Sequence, residues 1–138
     1  DLMTVYDNPK SSLHKSLPLI NVWGKAPTHC LGVVTEKMKY LYWGYAAEGF
    51  EVTEELYDLE KDPLELTNLA QNPSELNRVQ KMQGLYDQQL KNWKKQAVPY
   101  NDYQRFGELF SRHKPWEKRM KFLSAKTLTK TQEKKKKK

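Results

Sequence analysis

The chain has 138 residues, of which 38% are apolar and 12% aromatic, including four Trp and eight Tyr. That length supports one domain with a core, and the share of large rings excludes a wholly disordered chain. A mean hydropathy of −0.91 keeps the core modest, the single cysteine excludes an internal disulfide, and no apolar run approaches the ~20 residues of a membrane-spanning helix.

Residues 1–16 are poorly patterned, with a turn-rich Asp7-Asn8-Pro9-Lys10-Ser11-Ser12 segment. The N-terminus, Asp1-Leu2-Met3, lacks the basic and apolar regions of a leader and an initiator Met, so the chain is expected to begin mid-protein. Leu17–Trp23 reads as a buried strand, with Pro18 placing its start at an edge or bend. Gly24-Lys25-Ala26-Pro27 is a turn, and His29–Thr35 is a second, Val-rich strand. Lys39–Trp43 is a third, with Tyr40 and Tyr42 on one face and Leu41 and Trp43 on the other. The fourth covers Val52–Leu59. Links this short demand antiparallel pairing, since a parallel crossover needs about a dozen residues.

The pattern changes at Leu56–Asn68. Asp62-Pro63-Leu64-Glu65 has the chemistry of a helix start: a capping carboxylate, a proline with preset φ, and a glutamate able to reach back. Asn72-Pro73-Ser74-Glu75 repeats that logic and opens the long helix, expected over 73–97. Leu76, Val79, Tyr86, Leu90 and Trp93, with Gln83 and Ala97 in register, form its sheet-facing stripe, and Arg78, Lys81, Asp87 and Lys91 face water. Gly84 is a weak point inside it, and Pro99 ends it. Residues 100–113 carry no clear pattern. Pro115 opens a second helix with Trp116, Met120 and Leu123 on one face and Lys114, Lys118, Arg119 and Lys121 on the rest. The fold class is α+β: a small four-stranded antiparallel sheet packed by a long helix, with a helical basic C-terminal extension.

Charge is unevenly placed. Residues 1–88 carry 8 Lys/Arg against 13 Asp/Glu, a net −5, and residues 89–138 carry 16 against 4, a net +12. Five of those charges are the run Lys134–Lys138, expected to be a disordered solvated tail. Aromatic residues Trp93, Tyr100, Tyr103, Phe106 and Trp116 interleave with the basic ones. A nucleic-acid or anionic-surface binding module is therefore the alternative reading, the weaker one because no recognised binding motif accompanies it.

No self-sufficient catalytic set is visible. His14, His29 and His113 lack metal-ligand spacing, Cys30 is followed by Leu31-Gly32-Val33 with no base at a spacing that predicts its activation, and there is no phosphate-binding glycine loop. Glu48, Glu51, Glu54, Glu55 and Asp58 read as a solvated strand face.

The run Leu56-Tyr57-Asp58-Leu59-Glu60-Lys61-Asp62-Pro63-Leu64-Glu65-Leu66-Thr67-Asn68-Leu69-Ala70 resembles the signature near the end of formylglycine-dependent sulfatases. Lys37-Met38-Lys39-Tyr40-Leu41 is similar to the family's basic, tyrosine-containing strand. Trp23-Gly24-Lys25-Ala26-Pro27-Thr28-His29 is similar to the strand and turn before it in bacterial members and in relatives of N-sulfoglucosamine sulfohydrolase. The resemblance covers roughly residues 15–97. It implies a linker remnant over 1–14 and a sulfatase-like C-terminal subdomain over 15–99; the residue pattern and composition add a helical extension over 100–130 and a disordered lysine tail over 131–138.

The departures matter as much. Family catalysis needs a Cys or Ser in a Cys/Ser-x-Pro/Ala-x-Arg pattern, and Cys30 is not in one. The resemblance places formylglycine and calcium in a separate N-terminal catalytic domain, the expected partner, and implies no cofactor, metal ligand or catalytic residue in this chain. Alone it is expected to be inactive. For substrate contact with a sulfated sugar the resemblance points to Lys25, Thr28 and His29, where a cation and a hydrogen-bonding ring suit an anionic ligand. Family members are often periplasmic, secreted or lysosomal, which leaves this chain's location open.

Overall fold

The computed structural model describes residues 6–8, 14–98 and 102–123. Four strands, β1 (Leu17–Asn21), β2 (Cys30–Val34), β3 (Met38–Trp43) and β4 (Thr53–Asp58), form one antiparallel sheet in the order β1-β2-β3-β4. The predicted four-stranded sheet thus forms, with strand ends one or two residues shorter in three cases and one residue longer at Met38. Leu31 pairs with Tyr42 and Val33 with Tyr40 across β2 and β3, and Tyr40 pairs with Leu56 across β3 and β4. The β2–β3 link is a tight turn closed by the Thr35 amide donating to the Met38 carbonyl, 2.8 Å.

Helix α1 (Leu76–Gln96) lies on one face of this sheet. Its start follows the expected chemistry. The Asn72 side chain accepts from the Ser74 amide, and Pro73–Glu75 form one 3-10 turn leading into the helix. Val79, Met82, Tyr86 and Leu90 are the buried stripe. Met82 fills the position between Val79 and Tyr86 that the sequence stripe had left out. Leu76 belongs to the exposed side, because the helix proper begins there, beyond the sheet. Tyr86 is fully buried, edge-on to Tyr40 (5.6 Å) and Tyr42 (5.7 Å), and its hydroxyl donates to the Phe110 carbonyl, 2.7 Å. Each such burial contributes about 1.5–3 kcal/mol.

The segment that showed no pattern contains helix α2 (Gln104–Leu109), and helix α3 (Trp116–Arg119) follows with a 3-10 turn over Met120–Phe122. Phe106, Leu109, Phe110 and Leu123 join the same core as the sheet and α1. The expected linker remnant over 1–14 and the lysine tail over 131–138 lie largely or wholly outside the described residues, as do Pro99 and Tyr100. Among the described residues no helix is long and apolar enough to cross a membrane.

Four expectations are corrected. Asp62-Pro63-Leu64-Glu65 does not start a helix. Glu65 takes a left-handed φ of 57°, and the Asp62 carboxylate accepts from the Thr67 amide at 2.8 Å, so the segment is a closed turn. The acidic residues of β4 do not form one solvated face. Strand alternation puts Glu54 and Asp58 on the helix side, where Arg112 and Arg78 meet them. For the same reason Arg78 and Asp87 are paired rather than merely solvated. Arg119, expected on a solvated face, is 1% exposed.

Candidate functional site

The signature run makes contacts that are all structural. Asp58 is buried, and its carboxylate accepts from the Glu60 and Lys61 amides and, at 2.7 Å, from Arg78 of α1. The Arg78 hydrogen bond foremost, with the two amides, holds the Asp58 carboxyl below its usual range. Glu65 pairs with Lys39 of β3. Asn68 does the remaining work. Its side-chain oxygen accepts from the Leu56 amide (3.0 Å), its side-chain nitrogen donates to the Glu54 carbonyl (3.1 Å), and the next amide, Leu69, donates to the Leu56 carbonyl (2.8 Å). One carboxamide thus imitates a neighbouring strand and closes the free edge of β4. The fixed spacing from Asp58 to Asn68 is the length of chain that turns back on that edge.

The substrate candidates lie at the end of the sheet opposite Asp58. In an up-and-down antiparallel sheet the β1–β2 and β3–β4 connections share one end. There Lys25 is exposed and precedes a 3-10 turn over Ala26–Thr28. Thr28 is exposed, and its hydroxyl donates to the Lys25 carbonyl at 2.8 Å, so it closes the turn. Asn21 donates to the Thr28 carbonyl at 2.9 Å and ties the turn to β1. Trp23, beside Lys25, is 69% exposed. From the other connection Phe50 is exposed on a tight turn through Glu48 and Gly49, both at positive φ, with Tyr45 packed edge-on behind it. Phe50 was not singled out in the sequence. The turn residues Glu48-Gly49 ahead of an aromatic are the only local signal that marks it.

His29 differs from its two neighbours. It is 8% exposed, edge-on to Phe106 of α2 at 5.4 Å, and neither ring nitrogen has a well-formed hydrogen bond. Burial pushes its pKa below the usual 6.5, with the Gly24 backbone opposing and Arg105 adding to the shift. Ala26, His29, Gly44, Tyr45, Leu109, Phe110 and Trp116 enclose a crevice of about 10 Å³, room for roughly one water. The structure therefore brings Lys25 and Thr28 together at the surface and sets His29 beneath them, under α2.

Cys30 is buried beside Asn21 and Trp43 of the flanking strands, and burial raises its thiol pKa. Among the described residues no three His, Cys, Asp or Glu side chains converge as metal ligands do. Of the aromatic residues interleaved with basic ones, Phe106 is 1% exposed and the Trp93 indole donates to the Tyr103 carbonyl.

The sheet has a second face. Strand alternation turns Leu17 and Leu19 of β1, Val34 of β2, Leu41 and Trp43 of β3 and Tyr57 of β4 away from α1. Among the described residues no helix covers this side. Leu17 is half exposed, and Leu64 and Leu66, on either side of Glu65, are more than three-quarters exposed. Leu19 and Leu41 close over Gly32, where an added Cβ would lie 2.4 Å from Leu41.

No family model matches the chain. No curated protein matches it either. Among solved structures it is similar to BT4656, described in complex with its substrate D-glucosamine-2-N,6-O-disulfate, with a TM-score of 0.57 and 17% identity. The likeness covers 70% of this chain and 20% of that one. It is a likeness of fold: the sheet and its long helix form an α+β unit that matches a fifth of that longer chain.

Proposed function

We propose that this chain is the C-terminal subdomain of a sulfuric-ester hydrolase, a structural and pocket-shaping unit without a catalytic centre of its own. The observation that carries this reading is the two-sided sheet: one face is covered by α1, and the other carries Leu17, Leu19, Leu41, Trp43 and Tyr57 among Lys39, Glu55 and Thr53, with no described helix over it. A patch of that kind marks a docking surface. Its occupant here is an N-terminal catalytic domain, which would supply the formylglycine and the calcium. The fold likeness to one fifth of BT4656 supports the reading, as does the Leu56–Asn68 signature. At the loop end of the sheet, Lys25 and Thr28 would meet an anionic sulfated sugar, with Trp23 beside them and His29 shaping the turn from below.

The test has two arms. The purified chain, given an aryl sulfate and calcium, is expected to show no turnover above the blank; robust turnover overturns the reading. Joined to a sulfatase catalytic domain lacking its own C-terminal subdomain, the chain is expected to restore a soluble enzyme. Failure to join any such domain, with the chain itself folded, overturns the docking assignment.

A further inference from the structure

We propose that His29 is an acid-sensitive latch holding α2 and α3 against the loop end of the sheet. This device would operate whether or not the chain belongs to a sulfatase. Residues 102–123 are tied to α1 and β4 by the Tyr86–Phe110 hydrogen bond and the Arg112 and Lys94 ion pairs, and they meet the loop end of the sheet at His29. Phe106 lies against His29, Leu109 and Phe110 line the crevice beside it, and Trp116 packs on Tyr45 at 4.9 Å. His29 is the one titratable imidazole in that region, and neither of its two buried nitrogens has a well-formed hydrogen bond. A neutral ring tolerates such a place at the cost of one or two unmade hydrogen bonds, whereas an imidazolium must have acceptors or water.

The surroundings offer little of either: the Gly24 backbone is the one acceptor that favours the charged ring, and burial outweighs it. From α2, the Arg105 guanidinium stacks over the far ring of the pair, 4.3 Å from the Phe106 centroid. From α3, Arg119 donates to the Gly44 carbonyl behind the same crevice. From the β3–β4 connection comes Tyr45. No carboxylate figures among the charges that act on the ring. The crevice holds about one water, too few to hydrate a cation. Protonation therefore favours whatever conformation lets the ring reach solvent, and the shortest route is release of Phe106.

The direction follows from linkage. The closed form binds the ring proton more weakly than an open form with an ordinary imidazole. Above the open-form value near 6.5 both rings are neutral and the latch is closed. As pH falls below that value the open form gains a proton that the closed form does not, and closure weakens until the closed-form pKa is reached. Each unit between the two pKa values is a tenfold change in the closed-to-open ratio.

Amide hydrogen exchange on the full chain between pH 7.5 and 5.0, corrected for intrinsic rates, tests this. Amides of 104–119 are expected to lose protection by tenfold or more, while those of β2 and β3 keep theirs. His29→Leu is expected to lose less than twofold, and His113→Asn, a histidine bound to Asp87 on another surface, to behave as the wild type. Constant protection in the wild type, or an equal loss in His29→Leu, overturns the latch. Should His29→Leu fail to fold, the wild-type His29 ring is titrated by NMR: a midpoint at or above 6.5 overturns the proposal, and a lower one that tracks the loss of protection sustains it.

Discussion

Arg119 is the largest fully buried side chain of the described chain, and it has no carboxylate partner. Its guanidinium instead donates to the carbonyls of Lys114 (2.8 Å), Gly44 (2.7 Å) and Leu109 (2.9 Å) and rests near the rings of Trp116 and Tyr42. Carbonyl dipoles and aromatic faces stand in for water around the charge. Composition had placed it among solvated lysines, because nothing local separates a cation that will meet carbonyls from one that will meet water. Gly84 is the opposite case, legible from the sequence alone. It sits exposed within α1 with open space where a Cβ would go. Gly84→Ala is expected to stabilise the chain by about 0.5–1 kcal/mol, read as a higher denaturation midpoint at unchanged m-value.

At the scale of elements, the β4 edge and the β4–α1 tie carry the fold. Asn68→Ala would leave the Leu56 amide and the Glu54 carbonyl without their partners. It is expected to cost about 1–3 kcal/mol in urea unfolding, with faster exchange of the Leu56 amide than of Tyr40. Asn68→Asp keeps the acceptor but loses the donor to Glu54, so it should recover only part of that loss. The Asp58–Arg78 pair gives a pH dependence. The Asp58 pKa is lowered in the folded chain, so its contribution is present above the unfolded value near 3.8 and is lost as pH falls through the folded one. Asp58→Asn is expected to lower stability at neutral pH and to flatten the acid limb of a stability–pH profile below about pH 4. An acid limb as steep as the wild type's would assign that limb to other carboxylates.

For the whole molecule the question is what each face of the sheet meets. Leu17 is half exposed on the uncovered face, at the edge strand. Leu17→Glu is expected to change the stability of the isolated chain by no more than about 0.5 kcal/mol, because half its surface already lies in water. The same change is expected to prevent the chain from joining a catalytic domain, scored by co-purification. Loss of stability without loss of joining would mean that the face serves this chain's own core.

Alternation of apolar residues at period two and a capped run at period three to four were enough to read the sheet, its antiparallel order and the long helix from the sequence. Those features depend on neighbours within a few residues. The signature run was also visible, but its meaning was not. Asp62 and Glu65 look like a helix cap locally, and only the β4 edge and Lys39, distant in sequence, turn them into a closing turn. His29 was legible as a polar residue on a turn. Its burial under Phe106, 77 positions on, was decided by tertiary packing, as were the α2 segment and the interior place of Arg119. Local pattern determines which faces must be buried; which partner covers them depends on contacts between segments that share no short-range signal.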